Sequence, residues 1–259
     1  MFQTMLTLPV IFFGHGSPMN GIEVNAFSLK WKELARTLPK PNSILAVSAH
    51  WETDGVKLTG NIKQKTIHDF GGFPKKLYEQ QYNPPGNLNL CERIQKLIPE
   101  AKIDNSWGLD HGTWTILQWM YPEQDIPVIQ ISLNTRFSEA EHYNLGKKLA
   151  PLRKEGVMII GSGNIIHSFK EMEWTDTAKP RPWAAQFNES VKDMILKKEH
   201  DKLINYKKLE YGVRASPTPE HYLPVLYILG LQESTDKVTF FNDEVVMASF
   251  SMTSFVISS

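Results

Sequence analysis

The chain has 259 residues, 41% of them hydrophobic, and its 28 Lys and Arg balance 28 Asp and Glu. That length and composition suit one large domain with a sizeable core, and the balance of charge excludes a strong field for nucleic acid or anionic lipid. A single cysteine, Cys91, excludes an intrachain disulfide and fits a reducing compartment.

The opening stretch, MFQTMLTLPVIFF, has no basic region and no small-residue cleavage site, and Thr and Pro break its apolar run. No apolar run approaches the roughly 20 residues that cross a bilayer. The expectation is a cytoplasmic protein with neither membrane nor nucleic acid as a partner, working as a monomer or a small homo-oligomer.

Short β-rich runs recur along the chain at residues 10–13, 44–48, 56–59, 128–132, 157–160, 245–250 and 255–257. Several are apolar on both faces, as central strands covered by helices must be. Between them lie helical stripes. Phe27, Trp31, Leu34, Ala35 and Leu38 come first; Leu90, Ile94, Leu97 and Ile98 surround Cys91, which nothing in its own segment would activate. Leu145, Leu149 and Leu152 follow Ser138, and Trp183, Phe187, Val191 and Ile195 recur at successive fours. This alternation predicts an α/β fold, a single domain with a central, largely parallel or mixed sheet flanked by helices. No repeat, low-complexity tract or Ser/Gly linker marks a boundary, so residues 1–259 read as one domain.

The histidines fall on that scaffold in a pattern. His15 follows VIFF, His50 follows ILAVSA and His167 follows VMIIGSGNI, so parallel strands would gather them at the carboxyl ends, where open α/β sheets bind ligands. His221, in SPTPEHYLPVLYILGL, sits near a helix start, and His111 precedes an apolar stretch in WGLDHGTWTILQWM. One such histidine alone is more often structural than functional. Five in Gly-, Ser- or Pro-flanked turns point to a mononuclear metal centre at the carboxyl ends of the strands. His142 and His200, in charged helical stretches, are expected on the solvated surface, and His68 in a loop is undecided. No C-x-x-C or H-E-x-x-H occurs, which excludes a zinc finger or zincin. Ser17 and Ser162 lie outside any G-x-S-x-G, and GSGN is a weak phosphate-binding signal.

Taken together, GHGSPMN, SAHWET, IHDFGGFPKKLY, WGLDHGTW, GSGNIIH, PTPEHYLPVLY and SFSMTSFVI resemble, in order, the class III extradiol ring-cleavage dioxygenases, in the branch of DOPA 4,5-dioxygenases found in bacteria and plants. The resemblance implies one divalent metal per chain, a nonhaem Fe(II) that brings a catechol and O2 together and yields a semialdehyde. It makes His15, His50 and His221 the metal ligands, His167 the base or a fourth ligand, and His111 an acid/base or substrate-contacting histidine. Glu220 beside His221 offers a carboxylate, as nonhaem iron sites commonly use; the motif favours His221, with Glu220 behind it or near a helix N-terminus. All-histidine ligation is softer, so Zn(II) is an ion such proteins could be isolated with. Ser168 departs from the Asn that commonly follows this histidine, which bears on how the His167 ring is held.

Phe70, Phe73 and Tyr78 could wall a pocket for a planar ring, with Gly71 and Gly72 letting the loop fold over it. Trp51 and Trp114 read equally as wall or core. Two other readings stand beside the dioxygenase: a zinc hydrolase or amidase using the same histidines with His167 activating water, and a noncatalytic metal- or ligand-binding module. Oxygen uptake over catechols separates the first from both.

Overall fold

In the first strand, alternate side chains serve opposite sides: Val10 and Phe12 enter one apolar core, Ile11 and Phe13 another. The same period of two sends Leu45 and Val47 to the first core and Ile44 and Ala46 to the second, and separates Ile159 from Met158 and Ile160. A sheet buried on both faces requires such runs. The computed structural model describes residues 7–175 and 177–259, so part of the stretch read as lacking a leader lies outside the described residues.

The strands are β1 (Val10–Gly14), β2 (Ser43–Thr53), β3 (Lys57–Thr59), β4 (Lys102–Asp104), β5 (Val128–Asn134), β6 (Val157–Gly163), β7 (Lys237–Phe241), β8 (Val245–Val246), β9 (Phe250–Ser251) and β10 (Ser254–Ser258). Eight of them form one mixed sheet in the order β4-β3-β5-β2-β6-β1-β10-β7. Its centre, β5, β2, β6 and β1, is parallel, while β10 and β3 pair antiparallel to β1 and β5. Helices α1 (Ala26–Thr37), α2 (Lys75–Tyr78) and α4 (His111–Met120) bring Trp31, Leu77 and Trp114 to one face. On the other lie α3 (Leu88–Leu97), α5 (Glu139–Leu149), α6 (Pro182–Leu196), α7 (His200–Ile204), α8 (Gly212–Ala215) and α9 (Leu223–Gly230). Capping boxes start α1 at Asn25 with Ser28 and α5 at Ser138 with Glu141. Because α1 links β1 to β2 on one face and α5 links β5 to β6 on the other, a crevice opens at the carboxyl ends of these strands.

Three departures from the expected elements shape that crevice or its surroundings. First, β2 does not stop before His50. It continues to Thr53, and its pairing with β5 shifts between Val47 and Glu52, an irregularity that carries His50 to the crevice. Second, residues 245–250 are not one strand. They fold as the β8–β9 hairpin, turned by Met247 at φ 47° and Ala248 at φ 65°. Left-handed backbone costs a residue with a Cβ about 1–2 kcal/mol; hydrogen bonds from the Glu173 and Arg181 amides to the Met247 and Ala248 carbonyls hold it. Third, β4 and β7 are short edge strands whose exposed, charged residues hide them from a search for apolar runs. Cys91 is free and buried, and burial pushes its thiol up to about 11, which leaves it unreactive. Among the described residues no helix is long and apolar enough to cross a membrane.

Candidate metal centre

The parallel core delivers its histidines to one place. His15 follows β1, whose last residue Gly14 lies so close to the Met252 backbone that a Cβ would sit 2.6 Å from it; Gly16, at φ +63°, then turns the chain. Ser17 lies at the cavity edge, but its hydroxyl is engaged in capping the short turn Pro18–Gly21, a turn residue rather than a nucleophile. Gly112, the second residue of α4, would place a Cβ 2.7 Å from Ser48 Oγ and 3.1 Å from the His50 ring, so glycine alone lets α4 bring His111 against β2. The rings of His50 and His111 are 4.0 Å apart, and those of His15 lie 5.0 Å from His50 and 5.4 Å from His221. One ring nitrogen each from His15, His50 and His221 fall within 4.8 Å of one another.

Their hydrogen bonds assign the tautomers. Ser162 Oγ donates to the Gly112 carbonyl at 2.5 Å, so it must accept from His15 Nδ1 at 2.9 Å. Asp69 Oδ2 lies 3.3 Å from His50 Nδ1, and Glu220 Oε1 lies 3.1 Å from His221 Nδ1. Nδ1 of His15 and of His221 therefore carries the proton and leaves Nε2 a lone pair, and the carboxylate beside His50 Nδ1 favours the same arrangement there. His15 Nε2 and His50 Nε2 face each other at hydrogen-bond distance, 3.1 Å; a cation held by both lone pairs would take the place of the shared proton. Three neutral imidazoles backed by acceptors are the donor set of a divalent metal, and these residues fit one.

Electrostatics agree. Burial, then the neighbouring imidazoles, hold His15 and His50 well below the usual histidine range; burial also lowers His221 against the pull of Glu220. Glu220 itself is held at about 2: partial burial raises it, but hydrogen bonds from His221 and Thr218 outweigh that. It is the acceptor behind His221 and does not lie in the first turn of α9. His167, four residues beyond β6, stacks parallel on His221 at 3.5 Å and is grouped with Glu220 and His221 rather than with His15 and His50. Burial pushes it down to about 3. An unfolded imidazole gains its proton below about pH 6.5 while these folded ones refuse it, so stability is intact above that pH and declines as pH falls toward the folded value. The Tm of the metal-free protein is expected to drop from about pH 7.5 to 5, each imidazole held neutral contributing about 1.4 kcal/mol per pH unit below its unfolded pKa. A Tm that stays level across this window would contradict the assignment.

Above the histidines opens a cavity of about 350 Å³. Phe70 and Phe73 line it as the sequence suggested; Tyr78 packs 5.1 Å behind Phe70 instead. The opposite wall, Phe169, Trp174, Met247 and Phe250, was not foreseen. Phe169 and Trp174 are 61% and 80% exposed, which makes them an open rim. Trp51 stacks on Trp107 in the interior, and buried Trp114 donates to the Ile67 carbonyl, so both are core. His68 binds the Gln80 carbonyl and pins the loop. No helix opens at GSGN: Asn164 instead ties β6 to the Ser251 carbonyl, which removes the phosphate reading.

Two surface expectations are corrected. His142 is buried, its Nδ1 3.1 Å from the Tyr227 hydroxyl, and burial pushes it down to about 4. His200 is half-buried, bonded to Tyr143 and Gln232. The charged neighbours of His142 lie on the outer face of α5, whereas His142, Leu145 and Leu149 form its inner stripe. Two carboxylates, the half-buried Asp69 and the buried Asp110, escaped the sequence reading altogether. Asp69 accepts the His111 backbone amide and the His111 Nδ1 proton, each at 2.9 Å. Asp110 is bonded by Ser48 and Gln130; burial and the Asp69 charge push it up to about 7.

Comparison with known proteins bears on this site. Residues 11–257 match the family described as the catalytic LigB subunit of aromatic ring-opening dioxygenase. The chain is 43% identical over 253 residues to the 4,5-DOPA dioxygenase extradiol of Escherichia coli K12, covering 95% of this chain and 93% of that protein. It is 38% identical over 236 residues to the enzyme of the same name from Beta vulgaris, covering 87% of each. A crystal structure of an uncharacterized Escherichia coli K12 protein superposes with a TM-score of 0.85 at 38% identity, over 96% of this chain and 99% of that one. With its histidines gathered at the strand ends and the family match spanning nearly its whole length, the chain belongs to the LigB family of aromatic ring-opening dioxygenases.

Proposed function

We propose that this protein is an extradiol ring-cleaving dioxygenase that opens a catechol, DOPA-like or a related aromatic diol, with O2 to a semialdehyde, residues 1–259 acting as one catalytic domain. The observation that carries the reading is the trio of imidazole nitrogens, one each from His15, His50 and His221 within 4.8 Å of one another, at the floor of an aromatic-walled cavity. They would hold Fe(II), which supplies the redox chemistry between catechol and O2; Zn(II) suits the same nitrogens but has no redox chemistry to give.

The protein's own part is orientation, exclusion of water and proton movement. Phe70 and Phe73 offer flat apolar surface to the diol ring. His111 lines the cavity with Nδ1 tied back to Asp69, which leaves Nε2 free to accept a hydroxyl proton from the substrate. His167 faces the same space as a neutral base of low basicity. It takes a proton when the catecholate anion it creates stays beside it, and returns that proton as the ring opens. The parallel stack on His221 places it beside the three-nitrogen group, which supports a base over a fourth ligand.

Anaerobic loading with Fe(II), followed by O2 and a panel of catechols, tests the assignment. The expected result is stoichiometric oxygen uptake with a yellow ring-fission product. Absence of uptake with every catechol, together with hydrolysis by the zinc-loaded protein, would favour a hydrolase instead.

A further inference from the structure

We propose that Asp69 is a positioning residue that sets the tautomers of two imidazoles at once, presenting Nε2 of His50 to the metal and Nε2 of His111 to the substrate. The inference rests on the metal centre proposed above. A single carboxylate is shared three ways. Oδ1 accepts the His111 backbone N–H at 2.9 Å, while Oδ2 lies 2.9 Å from His111 Nδ1 and 3.3 Å from His50 Nδ1. His111 Nδ1 donates to Oδ2, and the same oxygen, 3.3 Å from His50 Nδ1, favours that ring's proton on Nδ1 as well. Nothing else among the described residues is bonded to Nδ1 of either ring, in contrast to His15, which has Ser162, and His221, which has Glu220.

Asp69 reaches the site from outside the sheet. It lies in the loop that follows β3, next to Phe70, which lines the cavity and packs 5.6 Å from the His111 ring. The loop that forms the aromatic wall therefore also locks the ligand, so that ring binding and metal binding share one support. Asparagine is the informative replacement. With one carbonyl oxygen retained on the backbone amide, its NH2 would face the two Nδ1 atoms and could be accommodated only by moving a ring proton to Nε2, which removes the lone pair the metal uses. Alanine removes the acceptor without imposing the wrong tautomer.

The experiment measures Zn(II) affinity of the full chain by competition with a chromophoric chelator, alongside histidine 15N spectra of the metal-free protein, for wild type, Asp69→Asn, Asp69→Ala and His50→Ala. Asp69→Asn is expected to weaken Zn(II) binding by about 10–100-fold, and Asp69→Ala by less. The His50 and His111 signals should change tautomer while those of His15 and His221 stay, a selectivity that general loosening of the fold would not produce. Wild-type affinity with unchanged tautomers in Asp69→Asn, while His50→Ala loses the metal, overturns the role of Asp69 and leaves the centre standing. Retention of metal by His50→Ala overturns both. Should Asp69→Asn fail to fold, the tautomers and affinity of Asp69→Ala decide the same question.

Discussion

Replacing His15 with alanine is expected to abolish metal binding and, with it, ring cleavage. His15 is buried, its Nδ1 is committed to Ser162, and its Nε2 faces His50 Nε2 at 3.1 Å. His50 and His221 already belong to the same group and Asp69 is engaged by His111, so none of these three replaces it. Loss of a residue that merely supports a ligand costs about 10–100-fold in metal affinity, so loss of the ligand itself should exceed about 100-fold. A thermal readout separates this from misfolding. Wild type with metal at about 100 times its Kd gains about 2.7 kcal/mol, seen as a rise in Tm. His15→Ala should fold, with a near-UV spectrum like wild type, and show no such rise and no oxygen uptake. Metal-dependent stabilisation of wild-type size in this variant would remove His15 from the centre.

How far the sequence leads to this site can be judged residue by residue. The two-sided apolar runs of β1, β2 and β6 declare a buried parallel core, whereas β5 alternates Gln130, Ser132 and Asn134 with Ile129, Ile131 and Leu133 and is nonetheless buried throughout. With that core in hand, the convergence of His15, His50 and His167 follows from topology, the Gly- and Pro-flanked turns add His111 and His221, and the resemblance assigns their roles. Beyond this the linear pattern falls silent. Asp69 has no periodic signature: it is one acidic residue in an aromatic-rich loop, and its role arises only when that loop folds onto α4, some forty residues on in the chain. The β8–β9 turn reads as a strand because Val245, Val246 and Phe250 are β-formers, yet the left-handed Met247 and Ala248 bend it to put Met247 and Phe250 on the cavity wall. His142 misleads in the opposite way. Charged neighbours in sequence suggest solvent, but on a helix the neighbours that matter are three and four residues away.

Replacing His167 with phenylalanine is expected to cut turnover by about 10²–10⁴-fold, the range of a general acid–base residue, while leaving metal affinity within a few-fold of wild type. The contrast with His15→Ala follows from position. His167 lies against the flat face of His221 and edge-on to Phe169 and Phe250, at 4.9 and 4.7 Å, outside the group of three nitrogens. A phenyl ring keeps that stack and those edges, so the wall survives and only the nitrogens are lost. Burial that holds His167 at about 3 also defines the cost the native protein bears. A neutral imidazole is always available at neutral pH, but it binds a proton well only beside the negative charge of an ionised diol. The loss should therefore appear in kcat rather than KM, and should shrink for catechols acidic enough to arrive already ionised. Loss of metal in His167→Phe would make His167 a fourth ligand. Unchanged turnover with metal retained would assign the whole of the proton transfer to His111, with Asp69 behind it.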